Sequence, residues 1–391
     1  MTATRLPRVA LLFAQFSPYH VDRCEAVARR LAGRYEVLAA EVATRSEVNA
    51  WDPSGTVSGV RKLTLFPGAV YEDVAWPRRA WGQFKALRGC RMVLVGVPYN
   101  EPDIIVLSWL LRLLGVRVVV LSESKFDDSQ RSAAFELVKG LVLAPYRAAI
   151  VGARRQASYF RFLGFRRRPV LPGYDGVGLD RIRALAGPLS APYGQRPFVY
   201  IGRFVAKKNL TGLVEGYARY AAAAGIAARR LVLAGSGEEE AAIRARASAL
   251  GVSHLIDFPG YRDAAGVARL LAGAVALVLP STEEQWGLVV NEALAVGLPA
   301  IVSTQVGSRD ALVRNLVNGF VIEPGSRDGL AAAMAALADD EALWRRMVAA
   351  SHARSWLGDT ERLADAVELL LDPGAAGAAE RLREFDRMLD S

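Results

Sequence analysis

Two glutamates in the spacing Glu-x₇-Glu, Glu284 and Glu292, stand in the run Pro280-Ser-Thr-Glu-Glu-Gln-Trp-Gly-Leu-Val-Val-Asn-Glu-Ala-Leu-Ala-Val-Gly-Leu-Pro299. An apolar strand ends at Pro280. A helix starts near Gly287, and Gly297 and Pro299 stop it. Glu292 lies within that helix, which is apolar almost all round. A carboxylate there is costly unless it is hydrogen-bonded, and sugar hydroxyls are good donors to it. The N–H groups of Gly287, Leu288 and Val289, with the positive end of the helix dipole, suit a diphosphate. Gly287 allows the backbone close approach. A second run, Phe198-Val-Tyr-Ile-Gly-Arg-Phe-Val-Ala-Lys-Lys-Asn209, ends a strand at Gly202 and places Arg203 and Lys208 around a short loop. Arg offers directional contacts and Lys a point charge, a pair able to neutralise a diphosphate. Asn209 is placed to cap the next helix. The bland alternative makes Glu292 a core carboxylate bound by backbone and Glu284 an ordinary loop charge.

Such side chains need strand ends to hold them. Apolar runs at Val9–Ala14, Tyr35–Ala40, Lys62–Phe66, Ile104–Leu107, Arg117–Leu121 and Ala148–Val151 read as strands. Several are near-continuous in Val, Ile and Leu, as strands buried on both faces should be. Helical patterns such as Val21–Leu31 and Ala133–Val142 fill the gaps. The stretch from Pro169 to Pro197 is dense in Pro and Gly and reads as a linker. Strand and helix then alternate again, with strands expected at Phe198–Ile201, Leu231–Ala234, Leu255–Phe258, Ala274–Leu279, Ala300–Ser303 and Phe320–Ile322. Alternation implies parallel α/β sheets, whose ligands bind at the carboxyl ends of the strands. The expected organisation is a Rossmann-like lobe over 1–175, a linker over 176–196 and a second Rossmann-like lobe over 197–374. A terminal helix at 375–391 is free to pack back on the first lobe.

The 391 residues suit two domains, and 52% hydrophobic with 23% charged residues is a globular composition. The apolar run Ile104–Leu121 is broken by Arg112 and Arg117, so it is not read as a membrane span. Arg5 and Arg8 before Val9–Ala14 imitate a leader, but Gln15, His20, Asp22 and Arg23 follow at once, and a buried first strand is the better reading. Cys24 and Cys90 give neither a disulfide framework nor a metal site, which fits a cytoplasmic setting. Charge is uneven. Residues 1–190 hold 28 Lys and Arg against 16 Asp and Glu, a net +12, while the remainder is at −3. The basic excess gathers partly with aromatics at Trp76–Arg88 and Tyr159–Arg168. This suits an anionic partner, with peripheral association at the inner face of the cell membrane as one form of it. Inward packing of the rings is the alternative.

In order along the chain, Gly-Arg-x₄-Lys, the Gly235-Ser-Gly237 turn, Phe258-Pro-Gly260, Glu284-x₇-Glu292, Gly307 with Asp310, and Asn318-Gly319-Phe320 together resemble the C-terminal lobe of glycosyltransferase family 4 over about residues 197–340. That resemblance implies a retaining enzyme of the GT-B fold, two Rossmann-like lobes facing across a cleft. Carried over position by position, Gly202, Arg203, Lys208, Gly287, Leu288 and Val289 would serve the diphosphate, Glu284 the donor sugar, Glu292 the ribose, and Tyr261 the base. Arg203, Lys208 and Glu284 would then also be the catalytic groups. The implied substrates are a nucleoside-diphosphate sugar and a hydroxyl acceptor, anionic or lipid-linked, with no bound cofactor, no metal and no nucleic acid.

The first half departs from that pattern. Many members have a Gly-Gly loop after the first strand, where this chain has Gln15-Phe16-Ser17-Pro18-Tyr19-His20. The strand ending in Ser122-Glu123-Ser124-Lys125 lacks the histidine that many members place near the donor sugar. His20 and Glu123 are the candidates to replace that contact and join the catalytic groups, with a first-turn helical role as the plain reading of His20. Gly235-Ser-Gly237 lacks the third glycine of a dinucleotide fingerprint, which is Glu240 here, so NAD is not expected. Asp127-Asp128 is not an Asp-x-Asp metal motif. The competing function classes are a non-catalytic GT-B-like binding or activating subunit and a sugar-nucleotide epimerase or phosphorylase.

Overall fold

The computed structural model describes residues 6–47, 56–128, 131–188 and 191–390. Arg5, part of the leader-like start, lies outside them. The chain forms two units, residues 1–177 with 360–391, and residues 178–359.

In the first unit the elements run β1 (Arg8–Phe13), α1 (Pro18–Leu31), β2 (Glu36–Arg45), β3 (Arg61–Val70), α2 (Trp76–Leu87), β4 (Met92–Val95), α3 (Pro102–Leu113), β5 (Arg117–Ser122), α4 (Ala133–Val142), β6 (Ala148–Val151), α5 (Arg154–Phe162) and β7 (Val170–Pro172). All seven strands are parallel, in the order β3-β2-β1-β4-β5-β6-β7. Two apolar clusters form the core. Leu12, Val93 and Val120 belong to one, and Leu11, Leu94 and Val119 to the other. Alternate residues of a strand point to opposite faces, so helices must cover both.

The strand expected at Ile104–Leu107 is instead part of α3, and the strand of that region is Met92–Val95. Pro102 in the first turn pre-sets the helix, and Ile104, Leu107 and Leu111 are buried at helical spacing. A four-residue apolar run carries too little period to separate the two. Val170–Pro172, placed in the linker by composition, is the edge strand β7.

The second unit contains α6 (Leu179–Ala186), β8 (Phe198–Ile201), α7 (Leu210–Ala224), β9 (Leu231–Ala234), α8 (Glu240–Ala249), β10 (Ile256–Gly260), α9 (Ala264–Gly273), β11 (Ala276–Leu279), α10 (Leu288–Ala295), β12 (Ala300–Ser303), α11 (Arg309–Leu312), β13 (Gly319–Ile322), α12 (Arg327–Asp339) and α13 (Glu341–Arg354). Its six parallel strands run β10-β9-β8-β11-β12-β13. The expected linker contains α6, whose Leu179 and Ile182 are buried and whose Arg183 donates to the Ala295 carbonyl at 3.0 Å.

The helices α14 (Glu361–Leu371) and α15 (Ala376–Asp390) return to the first unit, so the return begins at Thr360 and not at residue 375. The reason is visible on α14. Leu363, Ala366, Val367 and Leu370 join the core cluster of β1 and α1. Arg30 of α1 pairs with Glu361, Asp365 and Glu368, and Arg34 pairs with Glu368 at 2.5 Å. Asp365 is fully buried and is also met by Arg362 and Arg381, at 3.1 and 2.7 Å. A buried carboxylate is tolerable only with such partners. The expected lobe boundary at 374 has no signal in the sequence to contradict it, because α14 is amphipathic in either setting. Among the described residues, no helix is long and apolar enough to cross a membrane.

Candidate active site

The strand order of the second sheet reverses between β8 and β11, which lie side by side while their following connections diverge. Such a switch point is where open α/β sheets bind ligands. The loop after β8 carries Gly202, Arg203 and Lys208, and the loop after β11 carries Glu284 and leads into α10 at Gly287. The fold thus brings both sequence-predicted runs to one place. Lys208 Nζ forms an ion pair with Glu284 Oε2, and Ser281 Oγ lies 3.4 Å from the same oxygen. Arg203 is exposed beside them. Gly287 sits at φ 92°, a left-handed conformation favouring glycine, as the N-cap of α10. Leu288 and Val289 form the first turn, whose N–H groups have no carbonyl within the helix to bind. Glu292 is buried in that helix. Tyr261, just past β10, is largely exposed.

The loops themselves are held by backbone. Phe204 N donates to Ser236 O at 2.8 Å, and Gly202 N to Ala234 O at 3.0 Å. A Cβ on Gly235, at φ 144°, would sit 1.9 Å from Gly202 O. The Gly-Ser-Gly turn is therefore a packing device that lets two strand-end loops touch. On the other side, Gly307 N donates to Glu284 O at 3.1 Å and Ser308 N to Trp286 O at 3.0 Å. Buried Trp286 donates through Nε1 to Asn291 Oδ1 at 2.9 Å, and Asn291 Nδ2 donates to Gly358 O at 3.0 Å.

Asn209 does not cap as expected. It stands at the N-cap position of α7 in the left-handed conformation, φ 57°, without a side-chain cap bond. Its Nδ2 donates instead to Pro280 O at 3.1 Å and Pro324 O at 2.9 Å. The Oδ1 of Asn209 lies against Gly212 in the first turn of α7, while its Nδ2 ties the turn to the end of β11. This lock, together with Trp286 and Asn291, does not emerge from the sequence alone. Asparagine is a residue type tolerant of positive φ, but the partners of Asn209 are 71 and 115 residues away.

The first unit places His20 and Glu123 on separate elements at the carboxyl end of its sheet. His20 is in the first turn of α1. Its backbone N–H donates to Ser17 Oγ at 3.4 Å, and Ser17 N donates to His20 Nδ1 at 3.2 Å, a reciprocal cap. Its ring stacks on Phe13, with centroids 4.0 Å apart. Burial first, and then the charge of Arg23, hold its pKa well below the ordinary value. Glu123 follows β5 and lies next to Asp175, a buried residue that nothing in its Pro- and Gly-rich sequence setting singles out. Burial, and then the charge of Glu123, hold the Asp175 carboxyl well above the usual carboxylate range. Arg23, also buried, approaches Asp175 at 3.8 Å, donates to Gly176 O at 3.1 Å and lies over the Tyr174 ring.

Residues 186–354, nearly the whole second unit, match the family model described as Glycosyl transferases group 1. Among curated proteins, the lipopolysaccharide core biosynthesis glycosyltransferase LpsE of Rhizobium meliloti is 31% identical over 195 residues, 49% of this chain and 53% of that protein. The chain thus spans about half the length of this curated relative. Among solved structures, sucrose-phosphate synthase from Thermosynechococcus elongatus superposes with a TM-score of 0.71 at 20% identity, covering 93% of this chain and 98% of that one. HepE of Anabaena, in complex with UDP and glucose, gives 0.70 at 14% identity, covering 93% and 98%. The fold is therefore the two-unit parallel α/β fold of the GT-B glycosyltransferases.

Two outcomes follow from these local geometries. Asn209→Gly keeps the left-handed backbone and loses two hydrogen bonds, so chemical denaturation should register a loss of about 1–3 kcal/mol. Asn209→Ala should lose a further ~1 kcal/mol or more, because it alone bears the left-handed penalty; equal losses would deny the conformational role. For His20, a depressed pKa means that the unfolded chain takes up a proton the folded chain refuses. Stability contributed by the neutral ring is present above about pH 6.5 and falls as pH drops below it, by up to about 1.4 kcal/mol per pH unit. Urea unfolding between neutral and mildly acidic pH should show a shallower decline in His20→Gln than in the native chain.

Proposed function

We propose that the protein is a retaining, metal-independent hexosyltransferase that moves a sugar from a nucleoside diphosphate to a hydroxyl acceptor. The observation that carries this reading is the pairing of Lys208 with Glu284 beside the start of α10 at the β8–β11 switch point, with exposed Arg203 on the same loop as Lys208. Cations and a helix N-terminus suit one small region, where a leaving diphosphate gains charge in the transition state. Lys208 and Glu284 are each other's partners, so donor binding exchanges that pair for two new contacts. The ammonium turns to phosphate, and the carboxylate accepts from a sugar hydroxyl. Glu292 is assigned to the ribose, Tyr261 to the base, and Leu288 and Val289 N–H groups to phosphate oxygens. His20 and Glu123 are assigned to the sugar side.

In front-face transfer the acceptor oxygen forms its bond to the anomeric carbon on the face the phosphate leaves. The C–O bond to phosphate breaks with its electron pair going to the diphosphate, and a phosphate oxygen takes the acceptor proton. No dedicated base is needed. The acceptor is taken to be anionic or lipid-linked, presented at the inner face of the cell membrane by a chain that associates peripherally from the cytoplasm. The basic first half supports this, as does the likeness to a lipopolysaccharide core glycosyltransferase.

Turnover of a nucleotide sugar should persist in EDTA and be unchanged by added Mn²⁺, with the product's anomeric configuration retained by NMR. Loss in EDTA restored by Mn²⁺ would refute metal independence, and inversion would refute the front-face route. Calorimetry separates the two carboxylates. Glu292→Gln should weaken binding of the bare nucleoside diphosphate by about 1.5–3 kcal/mol. Glu284→Gln should leave that binding near native while turnover collapses, since its partner is the sugar. Equal loss of nucleotide affinity in both variants would overturn the division.

A further inference from the structure

The helix α4 is built inside out. Its carboxylate residue Glu136 is 6% exposed, whereas Phe135, Leu137 and Leu141 are 66%, 70% and 65% exposed. Glu136 has fixed partners for facing inward. Its carboxylate accepts from the Tyr159 hydroxyl at 2.5 Å, from Lys139 Nζ at 3.0 Å and from Arg131 at 3.4 Å. The two basic, aromatic segments of the sequence divide. The first keeps Trp76 and Trp81 exposed on α2, with Lys85 over the Trp81 ring, although its Arg79 is buried against Glu101 and Asp103 at 2.9 and 2.8 Å. In the second, Tyr159, Phe160 and Phe165 pack into the core. From the second segment, Phe162 alone among the aromatics turns outward, and it meets Leu137 and Leu141 in a groove of about 760 Å³.

Cations surround the groove. Arg112, Arg147 and Arg167 line it, and Arg161 and Arg166 are exposed close by in sequence. The carboxylates of the same stretch are paired. Glu136, which also lines the groove, is neutralised by Lys139 and Arg131, Asp128 pairs with Lys125, and Asp127 pairs with Lys125 and Arg155. An exposed apolar patch of this kind marks an interaction surface, and its charge selects the partner. A second copy of the chain would bring arginines against arginines. A bilayer with anionic headgroups would bury the apolar side chains at the acyl boundary and neutralise the rim. We infer that the outward face of α4, with Phe162 and the rim of Arg112, Arg147 and Arg167, docks the protein on an anionic membrane surface. The inference deepens the reading of a membrane-presented acceptor by naming the surface that reaches it, and it rests on that reading.

The test is sedimentation of the full chain with vesicles of phosphatidylcholine and phosphatidylglycerol in equal parts, and with phosphatidylcholine alone, at low and high salt. Binding should require phosphatidylglycerol and weaken with salt. Leu141→Ser should lower the partition coefficient about tenfold, and Arg147→Gln and Arg167→Gln about fivefold each. All three side chains are at the surface, so thermal melts of the variants should match the native chain. Absence of binding to the mixed vesicles, equal binding to both compositions, or native binding by Leu141→Ser would overturn the inference. So would a dimer in size-exclusion chromatography that Leu141→Ser dissolves. Calorimetry with UDP and GDP in vesicle-free solution reads the donor site separately. Nucleotide binding without vesicle binding removes the docking surface and keeps the transferase reading, and vesicle binding without any nucleotide binding does the reverse.

Discussion

A parallel sheet buried on both faces leaves its chemistry nowhere to go except the loops at the strand ends. In the second unit that constraint is sharpened by the reversal of strand order between β8 and β11. The two strands are neighbours, but their connections part, so Lys208 and Glu284, 76 residues apart, can pair across the gap. The rest of the unit serves to keep those loops still. Asn209 grips two carbonyls, Gly235 allows backbone to touch backbone, and Gly307 and Ser308 hold the far side. None of these acts as an acid, base or nucleophile. They supply a fixed frame around Lys208, Glu284 and the start of α10.

The same economy of charge governs the first unit. Its buried carboxylates are held by partners of opposite charge, Asp365 by arginines between α1 and α14, Asp103 by Arg79 and Glu41 by Lys62. Asp175 is the exception in kind. It shares a buried site with Glu123 as well as Arg23, and its carboxyl is pushed upward by burial and by the like charge. Two carboxyl groups with one guanidinium between them cannot both ionise cheaply.

The inside-out α4 shows why net charge alone underdetermines a surface. Of the aromatic rings that look available in the sequence, Tyr159, Phe160 and Phe165 are structural while Trp76, Trp81 and Phe162 are exposed, and further exposed apolar side chains come from a helix whose pattern reads as ordinary. What distinguishes α4 is the direction of one glutamate, fixed by a tyrosine hydroxyl from α5 and by two cations.

The local patterns of this chain are legible without coordinates. The strand runs around β1, β5, β6, β8, β9 and β11 and the helix start at Gly287 follow from short-range apolar periodicity and from glycine and proline at their stops. The choice of Arg203, Lys208, Glu284 and Glu292 rests on the family resemblance, and of these the structure joins Lys208 to Glu284. Ile104–Leu107 reads as strand because four apolar residues have no measurable period, and only the packing of Leu111 beside them makes it helical. Asn209 is legible as a residue suited to a turn, but its partners are not. The return of α14 at Thr360 and the Asp175 cluster are hidden because they depend on contacts made across large separations in the chain. The outward face of α4 depends on nearer partners of Glu136, and is hidden because an amphipathic helix states that it has a buried side without stating which surface will bury it.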